Sequence, residues 1–376
     1  MEDHSNERGC ASALRQGMAH CFEDNDTLYV HWVLTYYCNY RCSYCFAHGT
    51  ERRSRKSSTD ISQISKTVEH LASANRKHYR IILMGGEPTT FPLLFETVIL
   101  LWMKLGKRID YIKLYTNGSF NDGKVKALID TARFVNILPI ISLHAEFVNM
   151  ERISEIIKRL AKSVGLHIKV MLHPERSEQI KAIVDELVLL RREYAFSMEV
   201  VPVRMPPDFV FDDDRYTPAH YDFIRETQSR FEAAAKSGVR SELSIAGGGL
   251  IDTDWFFLEQ NECGGIVRRD DIDSCELSER TDSFAFKGMN CIAGANTIDI
   301  HSNGLCKGLV CNAEKPRVRI FNVNPFLSPD WIHGVRCPYE RCGNKCNHVV
   351  PKFRSDEEAE AFIAEKRRLY TANMEK

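Results

Sequence analysis

Between residues 46 and 262 the chain has no cysteine at all. That gap excludes a disulfide framework through its centre, and the 13 cysteines found elsewhere are odd in number, so they cannot all be paired. Charge of neither sign is in excess. With 50 Lys and Arg against 51 Asp and Glu the net charge is −1, which leaves no overall field to gather nucleic acid or an anionic membrane surface. Long apolar runs are missing too. The opening Met1-Glu2-Asp3-His4 is polar where a secretory signal would carry an apolar core, and the longest apolar stretch, Phe134 to Leu143, is too short to cross a bilayer. No internal repeat or low-complexity tract occurs. These absences point to a soluble, cytoplasmic protein, and 376 residues of which 44% are hydrophobic suffice for about two domains.

What is present is unevenly placed. Cys10 and Cys21 stand alone and read as ordinary thiols, Cys38, Cys42 and Cys45 crowd into one short loop, and all the others follow residue 262. Such clustering reads as two metal-binding regions in a reducing compartment. The first cluster, Cys38-Asn39-Tyr40-Arg41-Cys42-Ser43-Tyr44-Cys45, comes directly after an apolar, strand-like run. Three thiolates spaced CxxxCxxC can each hold one iron of a [4Fe–4S] cluster and leave the fourth iron open to a ligand. A structural zinc site would want four closed ligands. Further along, Arg80-Ile81-Ile82-Leu83-Met84 runs into Gly85-Gly86-Glu87-Pro88, where two glycines permit a close backbone approach that a Cβ would forbid.

This pair of motifs, in this order, resembles the radical S-adenosylmethionine (SAM) superfamily. The resemblance implies an open-iron [4Fe–4S] cluster, SAM as the second cofactor, a flavodoxin- or ferredoxin-like reductant, and reductive cleavage of SAM to a 5′-deoxyadenosyl radical that abstracts a substrate hydrogen. It also implies that the neighbourhood of Tyr44 packs on the adenine, that the Gly85–Gly86 loop with Pro88 lies against the methionine moiety, and that Glu87 meets its amino group.

Strand-like runs at Tyr29 to Thr35, Arg80 to Met84, Tyr111 to Thr116, Asn136 to Leu143, His167 to Leu172 and Phe196 to Val203 alternate with helical periodicity at Ile61 to Ala74, Leu93 to Leu105, Gly123 to Thr131, Met150 to Lys162 and Ser177 to Arg192. This alternation predicts an α/β chain with a parallel sheet, matching the partial (β/α)6 barrel that the resemblance implies. Functional groups of such a barrel gather at the carboxyl ends of its strands. Strand three ends at Thr116-Asn117-Gly118-Ser119, which resembles the family's TNG turn but also reads as a plain Asn-Gly turn. Strand four ends at Ser142, whose counterpart commonly meets the SAM ribose, then His144, where many relatives carry an acid. His173 ends strand five, and Arg204 after strand six could bind the SAM carboxylate by a bidentate contact.

The carboxyl-terminal part carries the second signal. Cys291 precedes a hairpin pattern, Thr297 to Cys306 turning at Ser302-Asn303-Gly304; Cys311 follows, then Cys337-Pro338-Tyr339-Glu340-Arg341-Cys342-Gly343-Asn344-Lys345-Cys346. The arrangement resembles the SPASM and shorter twitch extensions that hold auxiliary [4Fe–4S] clusters, without their usual glycine-to-cysteine spacing and without the leading CxxC. Cys291, Cys311, Cys342 and Cys346 are the favoured ligands, with Cys306 and Cys337 as alternates; a structural zinc is the other reading, and Cys263 and Cys275 could serve a second auxiliary cluster. The expected organisation is an amino-terminal extension (1–28), the barrel (29–204), a connector (205–285) with a helix starting at Thr217-Pro218, a small cysteine-rich α+β domain (286–354) and a terminal helix (355–376). Two substrate classes fit the resemblance: a ribosomally made peptide, favoured slightly, or a small molecule of aminosugar or nucleoside type. A non-catalytic iron–sulfur or zinc protein is the reading from a different class.

Overall fold

The computed structural model describes residues 26–45, 59–206, 214–238, 257–260, 266–269, 287–309, 317–339 and 350–374. Six strands, β1 (Thr27–Thr35), β2 (His78–Gly85), β3 (Ile109–Thr116), β4 (Ile137–His144), β5 (His167–Leu172) and β6 (Ser197–Pro202), lie side by side in chain order, each parallel to the next. Between them run α1 (Ile61–Ser73), α2 (Leu94–Leu105), α3 (Asp122–Thr131), α4 (Met150–Leu160) and α5 (Ser177–Glu193). The α/β class expected from the sequence is the class found.

Three of these five helices, α1, α3 and α4, begin where short polar side chains offer an acceptor to the free amides of a first turn. Asp60 and Gln63 form a reciprocal capping box on α1, and Asn121 and Asn149 accept from Lys124 and Arg152 backbone N–H groups at the starts of α3 and α4. Alternate strand residues such as Val30, Trp32, Ile81, Leu83, Ile112, Leu114 and Val170 then pack against Val68, Leu71, Val98, Leu101, Leu128 and Ile157 of the helices. Each fully buried aliphatic side chain there contributes about 2 kcal/mol through removal from water.

Beyond the six units, α6 (Pro218–Ser237) starts with Thr217 as cap and proline in its first turn, and packs on α5. A short antiparallel pair, β7 (Phe257–Gln260) and β8 (Ile266–Arg269), follows. Then come β9 (Asn290–Ala293), β10 (Thr297–Ile300), β11 (Leu305–Lys307), β12 (Arg317–Arg319), β13 (His333–Arg336), β14 (Lys352–Phe353) and α7 (Asp356–Met374).

The Thr297–Cys306 hairpin was expected in a separate cysteine-rich unit, and here the structure differs. β10 lies parallel to β1, with Tyr29 opposite Thr297 and Trp32 opposite Ile300, and β11 and β12 continue antiparallel, giving one nine-stranded sheet ordered β12-β11-β10-β1-β2-β3-β4-β5-β6. The physical reason lies in β1. As the first strand of an open parallel sheet it would present a row of unpaired backbone groups, and β10 takes them up. A second, three-stranded sheet, β13-β9-β14, carries α7.

Candidate functional site

The three-cysteine loop leaves β1 and lies across the carboxyl ends of the neighbouring strands. Asn39 and Tyr40 reach the ends of β3 and β4: the Asn39 amide donates to Ser119 Oγ at 2.8 Å, and the Tyr40 ring stacks on Phe147, centroids 5.1 Å apart. Glu146, just past β4, accepts from the Ser43 backbone N–H at 3.0 Å and from the Ser43 hydroxyl. Tyr44 is buried with Cys42, Val203 and Met205, so the loop's far end is sealed by residues following β6. None of the three thiols forms a disulfide.

Gly85 and Gly86 bring β2's end against the start of this loop. The Gly86 N–H donates to Thr35 O and the Glu87 N–H to Tyr37 O, both at 2.8 Å. Glu87 is wholly buried and acts as an internal brace: Oε1 accepts from the Thr89 N–H (2.9 Å), the Thr89 hydroxyl (2.6 Å) and the Thr116 hydroxyl (2.7 Å), while Oε2 accepts from the Asn117 N–H (2.6 Å). Burial pushes this carboxyl above the usual carboxylate range, against the opposing pull of those donors. The bracing role is one that the resemblance did not imply. Ser142 lies in register with Lys169 at the end of β4, and Arg204 is half-buried just past β6, its guanidinium pKa lowered by burial.

His144 sits under the loop, edge-on to Tyr40 and stacked near Tyr44. Burial lowers its pKa from 6.5 to about 4, with Glu146 pulling the other way. The imidazole is neutral at physiological pH, and its Nδ1 accepts from the Tyr44 hydroxyl at 2.6 Å, a phenol that burial holds far above the ordinary tyrosine range. The folded value lies below the unfolded one. The unfolded chain therefore takes up the proton first as pH falls, and stability present above 6.5 is lost between 6.5 and about 4, up to roughly 3 kcal/mol. His31, also held to about 4 by burial, adds a fall in the same window. His144→Gln should keep an acceptor for Tyr44 yet flatten the loss measured by urea denaturation across that window; a slope equal to wild type would show that His144 does not carry its share.

The sheet face opposite the helices is unusually ionic for a barrel interior. Register places His31 beside Asp299, Asp299 beside Lys307, and Lys169 beside Glu199, and all of these are buried, as is Lys113 on β3. Lys169 Nζ pairs with Glu199 Oε1 at 2.6 Å, and His301 Nε2 and Lys307 Nζ stand 3.2 and 3.4 Å from Asp299 Oδ2. Lys113 and Lys169 lie over the rings of Tyr111 and Tyr115. At its upper rim the Tyr36 hydroxyl bonds His301 Nδ1. Desolvating so many charges is costly even when paired.

Of the carboxyl-terminal cysteines, Cys291 lies on β9 opposite Val335 of β13, and Cys337 follows β13 by one residue, its N–H on Met289 O, so the two occupy one side of the small sheet. Cys306 is different: it is fully buried in the main core, and burial pushes its thiol up to about 12, away from the ligating thiolate form. Cys263, Cys275, Cys311, Cys342 and Cys346, with Cys10 and Cys21, lie outside the described residues.

Among the described residues no group of three His, Cys, Asp or Glu side chains closes round a single metal ion. A cubane asks something else of its ligands, one thiolate at each of three separate corners. Three thiols outside any disulfide on one anchored loop, with the Tyr40 N–H already donating to Cys38 Sγ at 3.4 Å, suit that donor set. Residues that sequence reasoning missed are Glu146, Tyr36, His301 and the buried ions. Their one local signal is charge interrupting apolar strands, as in His167-Ile168-Lys169-Val170.

Residues 32–163 match the family model of the radical SAM superfamily. GTP 3′,8-cyclase of Chlorobaculum tepidum is 26% identical over 186 residues, 47% of this chain and 53% of that protein. An S-adenosylmethionine-dependent nucleotide dehydratase of a Fibrobacter species is 30% identical over 99 residues, 25% of this chain and 28% of its own length. The chain thus spans about half, or less, of the curated relatives it matches. The solved structure of anSMEcpe with bound AdoMet and the Cp18Cys peptide shares the fold, with a TM-score of 0.50 at 14% identity, covering 92% of this chain and 96% of that one.

Proposed function

We propose, from the premise that residues 32–163 are a radical SAM domain, that this chain cleaves SAM reductively and functionalises a small, polar, ionised substrate held at the inner face of the barrel. When bound to Cys38, Cys42 and Cys45, an open-iron [4Fe–4S] cluster supplies the electron for that cleavage. The chain's own residues do the rest. Glu146 and Tyr44 hold the cysteine loop over the strand ends, Glu87 ties β2's end to β3's end, and Gly85, Gly86, Pro88, Asn117, Ser142 and Arg204, at or just past the strand ends, are the residues that would meet SAM in this reading. A flavodoxin- or ferredoxin-like protein is the reductant of this reading.

The observation that carries the substrate class is the buried ionic face. Lys113, Lys169, Glu199, Asp299 and Lys307 give that face charges of both signs, and so much desolvated charge is retained where it recognises or orients an ionised ligand. The curated relatives named above act on GTP and on a nucleotide, which supports the same class. The peptide reading favoured by the sequence now rests on a fold likeness alone.

The Cys291–Cys337 side of the small sheet, where Leu309 and Val350, close in sequence to Cys311 and Cys346, pack with Val335, suits an auxiliary cluster with Cys337 as a ligand in preference to the core residue Cys306. The test is anaerobic reconstitution with iron and sulfide, then SAM and dithionite, with 5′-deoxyadenosine measured in the presence of nucleoside triphosphates or of cysteine- and serine-containing peptides. Stimulation by the nucleotides is the expected result. Stimulation by peptides only would overturn the substrate class, and no 5′-deoxyadenosine under any condition would overturn the radical reading.

A further inference from the structure

We infer that Asn117 sets the electron affinity of the cluster held by Cys38, Cys42 and Cys45 by donating a side-chain N–H hydrogen bond to the Cys38 sulfur, an inference that rests on this loop holding such a cluster. Asn117 follows β3 and is only 6% exposed. Its Nδ2 stands 3.9 Å from Cys38 Sγ and 3.0 Å from Asn39 Oδ1. The orientation of this amide is fixed by its neighbours rather than chosen. Oδ1 accepts from the Ser119 backbone N–H at 3.0 Å, so the NH₂ end faces the cysteine loop, and Asn39 is itself oriented by its bond to Ser119 Oγ.

Position and chemistry are set by different groups. The Asn117 backbone N–H is anchored on Glu87 Oε2 at 2.6 Å, which leaves the side chain free to serve the sulfur. A hydrogen bond to a ligating thiolate draws charge off the metal centre and favours its reduced state, one of the main means by which proteins tune such clusters. Asp at this position would be isosteric and would face the same sulfur with a carboxylate instead of a donor.

The test uses the full chain, reconstituted anaerobically without SAM and titrated electrochemically, following the reduced-cluster EPR signal that disappears when all three loop cysteines become Ala. Asn117→Ala should move the midpoint of that signal to more negative potential, by about threefold or more in the reduction equilibrium at fixed potential, where tenfold is 59 mV for one electron. Asn117→Asp should move it further the same way. Gly123→Ala, in the first turn of α3 and outside this hydrogen-bond network, leaves the donor in place and should leave the midpoint where it was. An unchanged midpoint in both Asn117 variants overturns the inference, and so does loss of this cluster from both, since the role would then be structural. Failure of the underlying function is distinct, because wild type would then lack the signal altogether.

Discussion

Replacing Cys38, Cys42 and Cys45 together by Ala is expected to remove about four irons per chain and to reduce 5′-deoxyadenosine formation to background. The expectation rests on the three thiols being all the cysteines of that loop, each able to hold one corner of the cubane. The fold should survive. The loop is also held by contacts that involve no sulfur: Glu146 on Ser43, Asn39 on Ser119, the Tyr40 ring on Phe147 and the Tyr44 hydroxyl on His144. Iron that remains in this variant, with a brown charge-transfer absorption, would belong to the carboxyl-terminal cysteines; stoichiometric zinc with no iron would overturn the auxiliary cluster, since zinc is colourless and redox-inert. Undiminished 5′-deoxyadenosine in the variant would sink the mechanism.

Gly86→Ala should be as damaging without touching a ligand. An added Cβ would stand 2.3 Å from Tyr37 O and 2.5 Å from Tyr36 O, and both contacts are backbone, so no side chain can swing away. Relief requires moving the segment that leads into Cys38. A destabilisation of about 3 kcal/mol is expected from overpacking of this kind, together with loss of SAM cleavage. Gly85→Ala adds backbone strain, since Gly85 has φ +152° and its Cβ would meet Thr35 O at 2.1 Å. Gly123→Ala, where the nearest atom is a side-chain oxygen at 3.5 Å, is the control. Denaturation midpoints and 5′-deoxyadenosine yields read both effects, and a Gly86→Ala chain as stable and active as the Gly123→Ala chain would contradict the packing argument.

The strands and helices of the barrel were legible because their signal is local: an apolar run, a capping Asp60 or Asn149, a period of 3.6. The three-cysteine loop and Gly85–Gly86 were legible for the same reason, being short and dense. What escaped reading is what register decides. Lys169 meets Glu199, His31 meets Asp299, and Glu146 meets Ser43 only once parallel strands are aligned, and no spacing along the chain announces such pairs. The hairpin at Thr297–Cys306 was visible as a hairpin; its place in the main sheet was not, because the open edge of β1 that attracts it exists only in three dimensions.

That edge has a consequence for how the molecule is made. β1 is the first described strand to be synthesised and β10, its neighbour, comes only after the other five strands of the parallel set, so Tyr29 waits for Thr297 until those strands have been translated. Non-local pairings of this kind close late and leave a bare strand edge open to other chains in the meantime. The strand that carries the cysteine loop is therefore flanked on both sides only after β10 has been synthesised.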